Sequence, residues 1–269
     1  MTSRTLLAVA ALLPALVLAP SAQAQAPQAP SIYAVLSLIG DQLDAVTYQP
    51  QTGTLLDAND HHAMPIGAGG MMDTAALRET DKALRAAVPV TDIALLATSA
   101  PAIYADESRL FVGNQVKLPA DIEAAVSQAK ADRLVLITKH RGDAHLKTKH
   151  GVVGSGKIEG LGFYLDTVHR IHDEDNTDRN VGFLATFVYA DVTLVDTGSH
   201  TIVRQATITA SETVTMGNNA NGANAWGALT PEQKMATLNR LLAAGLDEVI
   251  PQLVRTAGSA PQAADSATR

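Results

Sequence analysis

The stretch FLATFVYADVTLVD, residues 183–196, is followed by TGSH at 197–200 and by IVRQATITASETV at 202–214. Apolar residues alternate along the first segment, and the second repeats the alternation with threonine and serine on its other face. This two-residue period is that of a β-strand, and an intervening turn containing glycine suits a reversal of the chain. The stretch therefore predicts an antiparallel hairpin in the carboxy-terminal half of the chain.

Apolar runs in the first half of the chain predict strands that are buried on both faces, because their apolar residues do not alternate. These runs are 32–39, 93–98 and 134–138, and residues 43–48 and 157–166 also have an extended pattern. Helical segments separate several of these strands. This succession of strands and helices predicts an α/β (or α+β) fold, with a mixed sheet, a carboxy-terminal antiparallel hairpin and three main covering helices.

Two of those helices precede buried strands. The first is predicted at 73–87, with Asp73 as its N-cap residue, because a short polar side chain can accept a hydrogen bond from the first turn. The second is predicted at 119–129, with Pro119 in its first turn, where the missing N–H costs nothing. Both segments show apolar residues at helical spacing.

The third helix carries a complete start signal. Thr230 is the expected N-cap, Pro231 takes the first helical position, and Gln233 completes a capping box. The apolar stripe continues to Leu253. Pro251 is expected to bend or end the helix, because it removes a backbone hydrogen bond.

The first 24 residues resemble a secretory signal peptide. Arg4 supplies a positive charge, Leu6–Leu18 is an apolar run too short to span a bilayer comfortably, and Ala22–Ala24 has the small-x-small cleavage pattern. We expect cleavage near Ala24 and a periplasmic or secreted product. Because no second apolar run of this kind follows, we expect no transmembrane segment.

The rest of the chain divides simply. Residues 25–31 are rich in Pro, Ala and Gln and are expected to form a disordered tether, and 257–269 a disordered tail. No Pro/Gly/Ser linker or internal repeat interrupts the part between them. We therefore expect a single α/β domain over 32–256.

Composition excludes several classes of function. The formal net charge of −7 disfavours nucleic acid and anionic membrane surfaces as partners, because both reward basic patches. The chain has no cysteine, so disulfides, thiol nucleophiles, thiolate metal sites and a bacterial lipid anchor are absent. Nucleic acid, anionic membrane surfaces and thiol chemistry are therefore not expected.

Charged residues follow one of the buried strands directly. Lys139, His140 and Arg141 come after the run 134–138. In open α/β sheets, ligands collect at the carboxyl ends of strands. These three residues are the predicted ligand-binding site, against the alternative that they mark where the strand reaches solvent.

Histidines suggest a divalent metal as an alternative ligand. His140, His145, His169 and His172 are the candidate ligands, and acidic residues 173–175 follow the last of them. Imidazole binds zinc, copper and nickel, but a zinc site needs three or four converging donors. The sequence does not bring these residues together, and no other cofactor is predicted.

Two short motifs fail at the residue that carries the chemistry. Leu38–Leu43 resembles the Gly-Asp-Ser-Leu block of the SGNH hydrolases, but Gln42 stands where the nucleophilic serine is needed. Gly151–Ile158 resembles a phosphate-binding loop, but it ends in isoleucine and is followed by a strand-like segment instead of a helix. We therefore assign no catalytic residue, and a non-enzymatic role is favoured without an enzyme being excluded.

A longer resemblance covers residues 119–254. Two parts of this region resemble envelope-biogenesis modules. They are the hairpin sequence, Val192–Gly198 with Ile202–Arg204, and the strand Ala131–Leu136 that follows a helix. That group includes the curli-export lipoprotein and the amino-terminal domain of the Tol–Pal propeller protein. The resemblance implies a non-catalytic scaffold that docks partners in the envelope, so the partner it implies is an unidentified envelope protein.

This chain departs from that group in two ways. It lacks the lipid-anchor cysteine, and it carries long insertions at Gly151–Gly162 and His169–Asp178. Membrane attachment and pore formation are therefore not expected. Three hypotheses remain: an envelope interaction module, a metal-binding protein or metal-dependent enzyme, and a small-ligand-binding protein.

Overall fold

The computed structural model describes residues 31–50, 58–88, 90–149, 151–169, 182–215 and 225–255. The strands in these ranges are β1 (Ser31–Ser37), β2 (Gln42–Thr47), β3 (Asp60–Pro65), β4 (Val90–Leu96), β5 (Phe111–Val112), β6 (Gln115–Val116), β7 (Arg133–Lys139), β8 (Arg141–Asp143), β9 (Leu146–Thr148), β10 (Gly151–Val153), β11 (Lys157–Asp166), β12 (Phe183–Asp196) and β13 (Ile202–Thr215). The helices are α1 (Met71–Ala87), α2 (Pro101–Ala105), α3 (Ala120–Gln128) and α4 (Pro231–Val254), with 3₁₀ helices at Glu107–Leu110 and Ala225–Ala228.

Nine of these strands form one mixed sheet. Its order is β3-β2-β11-β12-β7-β1-β4, with β13 also paired to β12 and β8 to β11. Strands β4, β1 and β7 are parallel, whereas β12 and β13 form the antiparallel hairpin expected from their alternation. The mixed sheet, the hairpin and the three longer helices confirm the predicted fold class.

Helices cover both faces of the sheet. The central strands place alternate residues on opposite faces, as the two-residue period of a strand requires. Val135 and Ile137 join a core cluster with residues of α1 and α4, whereas Leu134 and Leu136 join a second cluster with α2 and α3. This burial on both faces explains why the strand is apolar throughout instead of alternating.

The long strand β12 pairs with two different strands along one of its sides. Its residues 183–189 pair with β11 and its residues 190–196 pair with β7. On the far side, β1 pairs with β7 and β2 pairs with β11, both in parallel. β7 and β11 therefore lie one after the other along the same side of β12, with a break in the sheet between them. The connection from β1 to β2 passes beside this break.

The helix starts test the capping predictions. At α4, the Thr230 hydroxyl accepts from Gln233 N and the Gln233 side chain accepts from Thr230 N, which confirms the capping box. Pro251 does not end α4, because the helix continues to Val254. Asp73 is not an N-cap: α1 begins two residues earlier, and that carboxylate serves the interior contacts described below.

Pro119 precedes α3 as its N-cap instead of lying in its first turn. The strand β3 forms one edge of the sheet. No helix among the described residues is long and apolar enough to cross a lipid bilayer. The predicted signal peptide 1–24, most of the tether 25–31, the tail 257–269 and His172 lie outside the described residues.

Candidate functional site

An open cleft occupies the break in the sheet. It has a volume of about 950 Å³ and is lined by residues of β2, β3, β7, β11 and β12 together with the segment 101–113. We call it the Lys139 cleft; its charged lining includes Asp41, Asp44, Glu107, Lys139, Arg141 and Asp191. Its position at the carboxyl ends of β1 and β7 is where open α/β sheets collect ligands.

Lys139 connects three segments at the wall of this cleft. Its Nζ lies 2.5 Å from Asp41 Oδ1, in the β1–β2 connection, and 3.8 Å from Glu107 Oε1. Its backbone N–H donates to Glu107 Oε2 at 2.7 Å. The lysine side chain is only 10% exposed, so the ammonium is largely removed from water and its charge is balanced by the Asp41 carboxylate.

Glu107 is a buried carboxyl group whose charge is costly. Desolvation raises its pKa to about 8, against the lowering effect of the Lys139 backbone hydrogen bond and of the Lys139 charge. Asp41 and Glu159 add to the rise, because each is negatively charged nearby. The Glu107 carboxyl is therefore mostly protonated at neutral pH.

Other charged groups of the cleft also have partners. Arg141 forms an ion pair with Glu159 at 3.6 Å. Asp44 Oδ2 lies 2.8 Å from His61 Nδ1, at the β2–β3 edge. On β12, Asp191 contacts His140 Nδ1 at 3.1 Å and accepts from Thr207 Oγ1 at 2.6 Å.

Asp73 anchors the loops behind the cleft. Its Oδ1 accepts from Ser37 Oγ at 2.7 Å and from the backbone N–H groups of Ile39 and Gly40, both at 3.1 Å. Its Oδ2 accepts from Gly69 N at 3.0 Å and lies 3.0 Å from the Tyr104 hydroxyl. The carboxylate thus joins the end of β1, the start of α1 and α2.

Burial shapes the titration of this network. Desolvation raises the Asp73 pKa, although the hydrogen bonds from Ser37, Tyr104 and two backbone groups oppose the rise. Desolvation also raises the Tyr104 pKa, and the nearby Asp73 charge raises it further. Gly40 is required here, because a Cβ atom at this position would lie 2.6 Å from Asp73 N.

The predicted ligand-binding residues occupy related but different positions. Lys139 and Arg141 line the cleft. His140 is not among the lining residues but contacts two of them: its Nδ1 lies 3.1 Å from Asp191 Oδ2, and its carbonyl oxygen accepts from Gly160 N at 3.2 Å. Ligand binding by these residues stays a prediction.

The candidate metal ligands have separate partners. His140 contacts Asp191, whereas His169 contacts Asp166 at 2.7 Å and packs against the ring of Tyr48. The exposed His145 donates its backbone N–H to Tyr189. Within the described part of the chain, no group of three or more His, Asp or Glu residues is placed to hold a metal ion, and metal binding also stays a prediction.

Sequence reasoning missed the two carboxyl groups that hold Lys139. Asp41 lies inside the Leu38–Leu43 motif but received no role of its own, and Glu107 lies in a 3₁₀ helix with no periodic pattern. Asp41 is 98 residues and Glu107 is 32 residues before Lys139 in the chain, so only folding brings them to it. The only local signal was that a charged residue directly follows a buried strand.

Comparison with known sequences identifies no relative. No protein-family model matches the chain. No curated protein matches it either.

Several solved structures are similar in arrangement at low identity. A PelC dodecamer from Paraburkholderia phytofirmans has 12% identity and a TM-score of 0.28, with 83% of this chain and 86% of that chain covered. A putative neuraminyllactose-binding hemagglutinin homolog from Helicobacter pylori has 9% identity, a TM-score of 0.36, and coverage of 86% and 91%. A lipoprotein from Neisseria meningitidis has 12% identity, a TM-score of 0.24, and coverage of 79% and 98%. Scores this low carry no conclusion about the site or the function.

Proposed function

We propose that this protein is an exported, non-catalytic binding module of the cell envelope, and that the Lys139 cleft is its binding site. The cleft is the single observation that carries the proposal. Its volume of about 950 Å³ lies at the upper end of the range of small-molecule sites. Its walls come from a rigid sheet, which holds the polar groups in place before a ligand arrives.

Two further features support this reading. Residues 1–24 have the pattern of a signal peptide, which supports export with cleavage near Ala24. The carboxyl groups beside Lys139 are engaged in holding that lysine, and Gln42 lacks a nucleophilic oxygen. Binding without chemistry is the simplest use of such a site.

A thermal-shift screen with two tryptophan variants tests the proposal. Ala63 lies at the exposed rim of the cleft, so Ala63→Trp places a large side chain in the entrance. Ala86 is exposed on α1 and does not line the cleft, so Ala86→Trp is the matched control. A ligand that binds only the native protein raises its melting temperature.

We expect at least one compound to raise the melting temperature of the wild type and of Ala86→Trp but not of Ala63→Trp. A diverse library that stabilises none of the three proteins would contradict the proposal. So would stabilisation that survives in Ala63→Trp for every active compound, because the ligands would then bind elsewhere.

A further inference from the structure

The charges around the Lys139 cleft specify the class of its ligand. We infer that the cleft binds an organic cation with two separated amino groups, held by Asp44 at one side and by Asp191 at the other. This inference rests on the proposed binding function and names the ligand of that same site.

The cations of the cleft are already engaged. Lys139 is paired with Asp41, and Arg141 is paired with Glu159. The Lys139 side chain is only 10% exposed, and displacing one partner of a buried charge pair is costly. Arg141 and Glu159 are exposed at 53% and 44%, and their opposite charges largely cancel each other at the wall of the cleft. Both cations are therefore balanced by carboxylates of the same cleft.

The carboxylates outnumber these cations. Asp44 and Asp191 both line the cleft, and each contacts a histidine, which carries a charge only when protonated. Another lining carboxylate, Asp106, is already matched by the exposed Arg109 at 2.5 Å. The charge left for a ligand is therefore negative and lies on two aspartates.

Those two aspartates are separated in the sheet. Asp44 is on β2, opposite Gly162 of β11, whereas Asp191 is on β12, opposite Thr138 of β7. Strand β11 lies between them, and Gly160 and Leu161 of that strand line the cleft. Because the two negative groups do not share one point, a ligand with two positive groups on a spacer matches them better than a single ion.

A hydrocarbon stem covers the strand between the aspartates. Gly160 has no side chain, and the methylene groups of Lys139 pack over it, with Cγ 3.2 Å from where a Cβ atom of residue 160 would lie. Leu161 does not contribute a surface, because its side chain is 1% exposed and packs in the core. The alkyl chain of a ligand can pack along the lysine stem while its terminal ammonium groups reach the carboxylates.

Isothermal titration calorimetry with three four-carbon compounds tests the charge class. Butane-1,4-diamine carries two positive charges, butylamine carries one, and succinate carries two negative charges. We expect the diamine to bind about tenfold or more tightly than butylamine, succinate not to bind, and added salt to weaken the diamine.

Single substitutions locate the two contacts. Asp44→Asn and Asp191→Asn each keep the side-chain shape and remove one charge, so each is expected to reduce diamine affinity about tenfold. Glu248→Gln removes a charge from an exposed position on α4 that does not line the cleft, and it is expected to leave the affinity unchanged. Ala63→Trp is expected to abolish binding.

The outcomes separate this inference from the proposed function. If an anionic or neutral compound binds, and Ala63→Trp abolishes its binding, the cleft is a binding site but the diamine inference is wrong. Equal weakening by Glu248→Gln would also overturn it, because the effect would be one of net charge. If no compound of any class is sensitive to Ala63→Trp, the proposed function fails with it.

Discussion

At the scale of single residues, Asp73 shows how one side chain joins distant loops. Its two oxygens accept hydrogen bonds from the end of β1, the approach to α1 and the Tyr104 hydroxyl. The sequence suggested a helix cap, because aspartate before an amphipathic helix usually has that role. The carboxylate instead satisfies buried N–H groups that would otherwise lack acceptors, and unsatisfied buried groups are costly.

Replacing this carboxylate by an amide should be strongly destabilising. Asp73→Asn replaces one acceptor oxygen by a donor that faces other donors, so we expect the free energy of unfolding to fall by about 2–4 kcal/mol. Asp121→Asn is the matched control, since Asp121 lies exposed in the first turn of α3, and it should change stability by less than about 0.5 kcal/mol. Urea denaturation measures both; equal stability of the two variants would disprove the role assigned to Asp73.

At the scale of elements, β2 and β11 approach unusually closely. Gly160 and Gly162 lie within β11, and a glycine inside a strand often marks a bulge or a close backbone contact. The structure confirms the contact, because a Cβ atom at Gly162 would lie 2.0 Å from the carbonyl oxygen of Asp44. The same pairing places Asp44 at the cleft, so the packing of two strands positions a proposed ligand contact.

Gly162→Ala should therefore disturb the strand pair. The methyl group would have to displace backbone, so we expect the free energy of unfolding to fall by about 2 kcal/mol or more. Gly227→Ala is the control, because Gly227 is exposed and no atom lies within 4 Å of the added Cβ. Thermal or chemical denaturation compares them. A Gly162→Ala protein as stable as the control would show that the strands can separate without cost.

At the scale of the whole molecule, Glu107 links global stability to pH. Its pKa rises from an ordinary 4.5 to about 8 on folding, so the native state holds a proton that the unfolded chain releases between these values. Stability contributed by this group is present at low pH and is lost as pH rises through this window. The side chain in Glu107→Gln cannot titrate, so this variant lacks the contribution of residue 107 to the change of stability with pH.

Denaturation of both proteins between about pH 5 and about pH 8 measures the difference. We expect the stability of Glu107→Gln relative to the wild type to increase across this range by on the order of 2 kcal/mol. Other titrating groups are common to both proteins and largely cancel in the comparison. A stability difference that stays constant with pH would show that the carboxyl is ionised in the folded protein.

Much of the architecture followed from the sequence alone. The hairpin of β12 and β13, the buried strands, the capping box of α4 and the α/β class were predicted because period, turn and cap signals are local. The charged residues at the end of β7 and just after it were singled out from the same local pattern. The short helix α2 was missed, since five residues carry too little periodicity to reveal a helix.

Tertiary structure alone decided how the site is assembled. β11 and β7 pair with successive parts of one side of β12, and the break between them forms the cleft. Asp41 and Glu107 meet Lys139 at this break. These contacts join segments far apart in the chain, so no local pattern records them. The sequence determined which residues form strands, helices and turns, because those preferences are properties of neighbouring residues. Burial and charge in the site depend on which distant strands pair, and that is a property of the folded chain.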